Sequence, residues 1–145
     1  MSLELTKDAL AFAPTSLLIG GRWVPAESGR QVEVVNPATE EVLTAVAAGG
    51  PADGLKALDA AAAAAKQWAA TPSRVRGETL RRAFDLIMAH MTELATLITL
   101  EMGKPLADAK GEVRYGAEFF RWYAEEAVRT YGRTAESPEG NLDII

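Results

Sequence analysis

Cysteine is absent from the 145 residues. That excludes disulfides, thiolate metal sites and a cysteine nucleophile supplied by this chain. Long apolar runs are missing too, since no stretch approaches the roughly 20 residues that a membrane-spanning helix requires. The first fourteen residues carry Glu4 and Asp8 and no basic segment leading into an apolar run, so they do not read as a secretory signal, and a cytoplasmic protein is expected. Positive charge is scarce: 15 Lys and Arg stand against 20 Asp and Glu, for a net charge of -5. The two signs are mixed along the chain, which argues against nucleic acid as the main partner. No repeat and no low-complexity linker is found beyond the alanine run Ala60 to Ala65. What is present is apolar side chain, 48% of the total, enough at this length for one ordinary domain with a sizeable core.

The first half reads as β structure. Leu17-Leu18-Ile19, Gly20-Gly21 and Arg22-Trp23-Val24 form two short extended pieces around a Gly-Gly turn. Val32, Val34 and Val35 lead into the turn cluster Asn36-Pro37-Ala38-Thr39-Glu40-Glu41, and Val42 to Val46 follow as the return strand of a second hairpin. Gly49-Gly50-Pro51 ends this part, with Pro51 suited to the first turn of a helix.

Three long helices are expected next. Ala52 to Ala70 is alanine-rich, with Leu55, Leu58, Ala62, Ala65 and Trp68 three or four apart. After Thr71-Pro72-Ser73, a single apolar stripe through Leu80, Phe84, Ile87, Met91, Leu94 and Ile98 predicts one continuous amphipathic helix ending near Gly103. Lys104-Pro105 restarts the chain, and Leu106, Ala109, Val113, Ala117, Phe120, Ala124 and Val128 form a third stripe, with Gly132 placed at its end. The terminal Ser137 to Ile145 looks like a turn entering a strand that has no downstream partner. Two hairpins and three helices supply no complete sheet for the stripes to cover, so a truncated α/β fold is expected.

Several local patterns resemble sites and are better explained as structure. Gly103-Lys104 lacks the second glycine and the Ser/Thr of a phosphate-binding loop, so a helix break is expected. Gly20-Gly21 and Gly49-Gly50 lack the spacing that brings a pyrophosphate to a helix N-terminus, and read as turns. His90, the one histidine, falls at the border of the buried stripe. Glu125 and Glu126 point about a hundred degrees apart on a helix and read as a solvated face. Glu101 sits at a predicted helix C-terminus, where a carboxylate opposes the dipole unless something positive compensates. Tyr115 and Phe119, four apart, share one side of the third helix.

Taken in order, these segments resemble the opening of the NAD(P)-dependent aldehyde dehydrogenase superfamily. The resemblance runs through Leu18-Ile19-Gly20-Gly21-Arg22-Trp23-Val24, Val35-Asn36-Pro37-Ala38-Thr39-Glu40-Glu41-Val42 and Arg76 to Arg82. Its most specific part is Thr99-Leu100-Glu101-Met102-Gly103-Lys104-Pro105-Leu106, continuing to Val113, and then Phe119-Phe120-Arg121-Trp122-Tyr123-Ala124-Glu125-Glu126. That block is similar to the succinate-semialdehyde dehydrogenase branch.

The resemblance implies an N-terminal piece of a several-fold longer enzyme. Residues 1–16 would be an extension, 17–134 the outer strands and helices flanking a largely missing Rossmann-like sheet, and 135–145 the start of an oligomerisation arm. It also implies oxidation of an aldehyde, succinate semialdehyde in this branch, with NAD or NADP, by a homodimer or homotetramer. The implied chemistry is attack by a cysteine thiolate, hydride transfer to the nicotinamide and hydrolysis of a thioester by glutamate-activated water. The nucleophile, the base, the main cofactor contacts and the arginines for a succinate carboxylate would all lie outside these residues. By the same resemblance, Glu101 with the carbonyls of Val34 and Val35 would hold a monovalent cation, a hard ion suited to oxygen ligands, with an ion pair or hydrogen bond as the alternative role of Glu101. Tyr115 and Phe119 would line a substrate entrance tunnel, the alternative being packing against a neighbouring helix. A different class of reading is a stand-alone helical interaction module, since exposed apolar stripes suit either role.

Overall fold

The computed structural model describes residues 3–144. In chain order it contains α1 (Leu3–Phe12), β1 (Leu17–Ile19), β2 (Arg22–Val24), β3 (Gln31–Val35), β4 (Val42–Ala47), α2 (Pro51–Ala70), α3 (Ser73–Ala89), α4 (Met91–Met102), α5 (Leu106–Glu126), β5 (Thr134–Glu136) and β6 (Leu142–Ile144). The strands pair only as three separate antiparallel hairpins, β1 with β2, β3 with β4 and β5 with β6, so the described residues contain no larger sheet.

Both expected hairpins form for the expected reasons. Gly20 and Gly21 take φ of 58° and 75°, the left-handed pair that a two-residue turn needs to match strand twist. In the second hairpin the Asn36 side-chain oxygen accepts the Ala38 N–H at 2.9 Å, and the Asn36 N–H donates to the Glu41 carbonyl at 2.9 Å. Val34 faces Thr44 and Val35 faces Val42, so Leu43 is the extra residue of a bulge.

The helices correct the sequence reading at two points. The stripe from Leu80 to Ile98 belongs to two helices, not one: α3 and α4 meet at His90 with a bend of 69°. Neither proline nor glycine marks the corner. His90 leaves helical geometry at φ -102° and ψ 24°, closes α3 through its N–H to the Leu86 carbonyl and accepts the Leu94 N–H with its own carbonyl, so it ends one helix and starts the next. Tertiary packing overrides the continuous pattern there, because α3 packs on α5 whereas α4 packs on both α5 and α1. Secondly, α5 ends at Glu126, well before Gly132, and tightens into a 3-10 turn over Ala127–Arg129. Arg129 holds that turn by donating to the Glu125 carbonyl at 3.0 Å and to Glu126 Oε1 at 2.8 Å. The terminal strand β6, expected to have no downstream partner, pairs upstream with β5 across a turn in which Ser137 donates its N–H to the Asn141 carbonyl.

The core lies between α4 and α5. Ala95, Ala109 and Val113 are buried and are flanked by Ile87, Met91, Leu94, Ile98 and Leu106. Small side chains at the centre let the backbones approach, and one position shows how closely: a Cβ on Gly77 of α3 would sit 2.7 Å from the Ala124 carbonyl oxygen of α5. The break between α4 and α5 is the expected one, with Gly103 in the left-handed region at φ 74° and Pro105 at the start of α5. Lys104 between them pairs with Glu112.

Candidate functional site

The residues singled out in the sequence fall in two places. Tyr115 and Phe119, one turn apart on α5, meet edge to face with ring centroids 5.2 Å apart. With Glu118, Trp122 and Tyr123 they line an open groove of about 310 Å³. Tyr115 is 68% exposed and Trp122 64%, so this aromatic side of α5 faces away from the packed α3–α4 side.

Glu101 occupies the last turn of α4 and is exposed; among the described residues it makes no ion pair. It borders a second apolar groove that includes Ile98, Met102, Val113 and Phe120. Val34 is half-buried and Val35 exposed on β3, opposite the Leu43 bulge of β4. The turn after Val35 comes to the end of α4, where Pro37 Cγ lies 3.5 Å from the Cβ position of Gly103. The fold therefore brings the Asn-Pro turn beside the glycine two residues after Glu101. Among the described residues, no three His, Asp or Glu side chains gather as a metal-binding group.

The most thoroughly satisfied carboxylate is one that the sequence reading passed over. Asp53 is buried, and its two oxygens accept the Gly50 N–H at 2.9 Å and the Glu27 N–H at 3.0 Å. These backbone bonds, Gly50 first and then Glu27, hold its pKa below the ordinary carboxylate value, opposed by desolvation and helped by Lys56. Lys56 pairs with Glu27 at 2.8 Å, and that hydrogen bond with its charge raises the lysine pKa. Asp53 thus pins the start of α2 to the segment after β2. A signal existed in the sequence: an acid three residues after Gly50 is the capping position for a helix beginning at Pro51.

This cap also bears on a dinucleotide. The Gly49-Gly50 turn opens α2, the one place where glycines precede a helix N-terminus as in a pyrophosphate site, yet the Gly50 amide already serves the Asp53 carboxylate. An anion there would face a buried carboxylate. Gly20-Gly21 lies in a hairpin turn and Gly103 at a helix C-terminus, where the dipole repels phosphate. None of these three glycine positions therefore offers free helix N-terminal amides to a dinucleotide's phosphates.

The aldehyde dehydrogenase family model matches residues 23–145. Among curated proteins, a succinate-semialdehyde dehydrogenase of Paenarthrobacter nicotinovorans is 55% identical over 104 residues, 72% of this chain and 23% of that protein. A glutarate-semialdehyde dehydrogenase of Pseudomonas putida is 43% identical over 141 residues, 96% of this chain and 29% of that protein. Among solved structures, a betaine aldehyde dehydrogenase of Staphylococcus aureus in complex with NAD+ superposes with a TM-score of 0.87 at 27% identity, covering 94% of this chain and 28% of that one. The fold and the ordered motifs define an α/β segment of the aldehyde dehydrogenase type. This chain belongs to the aldehyde dehydrogenase family, a family of NAD(P)-dependent oxidoreductases, and is similar to its succinate-semialdehyde dehydrogenases. It spans roughly a quarter of the length of the curated relatives it matches, 23% and 29% for the two named.

Proposed function

We propose that this chain forms the N-terminal part of an enzyme that oxidises succinate semialdehyde to succinate with NAD or NADP. The observation that carries the reading is the family match over residues 23–145, joined to 55% identity with a succinate-semialdehyde dehydrogenase. The same evidence admits the one-carbon-longer glutarate semialdehyde as substrate, since that relative is 43% identical over nearly the whole chain.

In this reading residues 17–134 are scaffold for the cofactor-binding domain, residues 135–145 begin an oligomerisation arm, and the complete enzyme is a cytoplasmic homodimer or homotetramer. Tyr115 and Phe119 line the substrate entrance, a role supported by their exposure on an aromatic groove. Glu101, with the carbonyls of Val34 and Val35, holds a monovalent cation, supported by the nearness of Pro37 Cγ, 3.5 Å from the Cβ position of Gly103 at the end of α4. The chain's own contribution is structural. With no cysteine among its 145 residues it offers no thiol to attack an aldehyde, so we expect it to be inactive alone.

The test is an aldehyde-dependent NAD(P) reduction assay with succinate semialdehyde and glutarate semialdehyde. The 145-residue chain is run beside a polypeptide that extends it to the length of its relatives. Turnover only in the longer chain supports the proposal, and a higher kcat/KM on glutarate semialdehyde transfers it to that substrate. Turnover by the 145 residues alone would overturn the requirement for a cysteine.

A further inference from the structure

The aromatic groove of α5 has one charged residue in its lining. Tyr115, Glu118, Phe119, Trp122 and Tyr123 recur at helical spacing on one side of α5, and Glu118 is the only acid or base among them. An aldehyde that ends in a carboxylate carries charge of the same sign. A bare Glu118 would repel it from the groove, and beside low-dielectric aromatic rings that repulsion is felt further than in open water.

Arg121 opposes this charge. Its Nη2 lies 2.6 Å from Glu118 Oε2, one helical turn on. On its other side the guanidinium carbon stands 5.6 Å from the ring centroid of Phe84 on α3, within cation–π range. The arginine is therefore held between the groove carboxylate and the neighbouring helix. The two side chains are 48% and 42% exposed, so the pair adds little to stability, and its main effect is on the charge that a solute meets at the groove.

We propose that Arg121 is a specificity-determining residue, which admits carboxylate-bearing aldehydes to the groove by neutralising Glu118. This rests on the reading of the groove as the substrate entrance. Loss of the arginine restores the repulsion, and loss of the glutamate leaves an unpaired arginine that attracts an anion. Both changes act on encounter and binding, so they fall on KM and not on kcat.

The experiment uses the polypeptide that extends this chain to the length of its relatives. Steady-state oxidation is measured for succinate semialdehyde and for butanal, a neutral aldehyde with the same number of carbons. The parent is compared with Arg121→Gln, Glu118→Gln and the double variant. At low ionic strength Arg121→Gln should lower kcat/KM for succinate semialdehyde about 2- to 5-fold through KM, the size of one exposed charge interaction. That deficit should vanish at about 0.5 M salt. Glu118→Gln should raise kcat/KM by a similar factor, the double variant should return to the parent value, and kcat/KM for butanal should stay level throughout. A deficit in Arg121→Gln that persists in salt, appears equally with butanal or survives in the double variant overturns the proposal. So does the absence of a gain in Glu118→Gln, which decides the matter should Arg121→Gln fail to fold. Tyr115→Ala tests the entrance itself. An unchanged KM for both aldehydes would remove the groove from the substrate's path, whereas a raised KM beside flat charge variants overturns the role of Arg121 alone.

Discussion

The α4–α5 pair and the α2 helix are stabilised in opposite ways. In α4 and α5 the structure comes from contact: Ala95, Thr96, Leu100, Ala109, Val113 and Ala117 are buried, Ala95 packs with Ala109 and Val113, and helical propensity is secondary. In α2 the only buried residue is Asp53, at the first turn. Leu58 is 63% exposed and Trp68 48%, and every residue from 61 to 70 is exposed. That helix rests on alanine, on its cap and on light contact with the β1–β2 hairpin, where Ala60 Cβ lies 3.8 Å from the Cβ position of Gly20. The difference teaches that a regular apolar stripe marks a face to be covered, without fixing whether the covering surface lies in the same stretch of chain.

Three substitutions test that contrast. The largest effect is expected from Leu100→Ala, which removes a side chain 3% exposed from the packed region and should destabilise the chain by about 3 kcal/mol in urea unfolding followed by circular dichroism. A cost under about 1 kcal/mol would mean that α4 and α5 are no better packed than α2. Ala62→Gly, in the exposed middle of α2, should cost about 1 kcal/mol, seen as faster amide exchange within α2 while α4 and α5 keep their protection. Equal loss of protection in both regions would show that they unfold as one unit.

The smallest effect concerns pH and the cap. Because folding lowers the Asp53 pKa from 3.8, its contribution is present above that value and is lost as pH falls through the lower folded value. Protection of the Gly50 and Glu27 amides should therefore fall in acid below about pH 3.8 in the parent chain. In Asp53→Asn it should be weaker at neutral pH and should show no such acid step, because an amide has one accepting oxygen and no charge. An acid step that persists in Asp53→Asn would assign it to another carboxylate.

How much of this was legible in the sequence follows the same division. Features specified by neighbouring residues could be read directly: the Gly20-Gly21 turn, the Asn36-Pro37 turn, the alanine helix and the Gly103-Lys104-Pro105 break. Features decided by distant contacts could not. The corner at His90 carries no breaker residue and is set by what α3 and α4 each pack against, and the helix α1 within the expected extension 1–16 was not foreseen. The end of α5 was placed too late because Val128 continues the apolar spacing, although Arg129 is already capping the preceding carbonyl. In the candidate site, the four-residue spacing put Tyr115 and Phe119 on one side of the helix, where their rings meet, while the apposition of Pro37 and Gly103 depends on the tertiary fold.

The close approach of Gly77 to the Ala124 carbonyl acts as an index mark between two helices. Sliding α3 by one turn, about 5.4 Å, would bring Ser73 or Arg81 opposite that oxygen in place of a bare Cα. Either side chain would force the backbones apart, so one register among the several that an apolar stripe permits closes fully. A single missing methyl group thereby chooses the alignment of some seventeen residues of α3 with its partner.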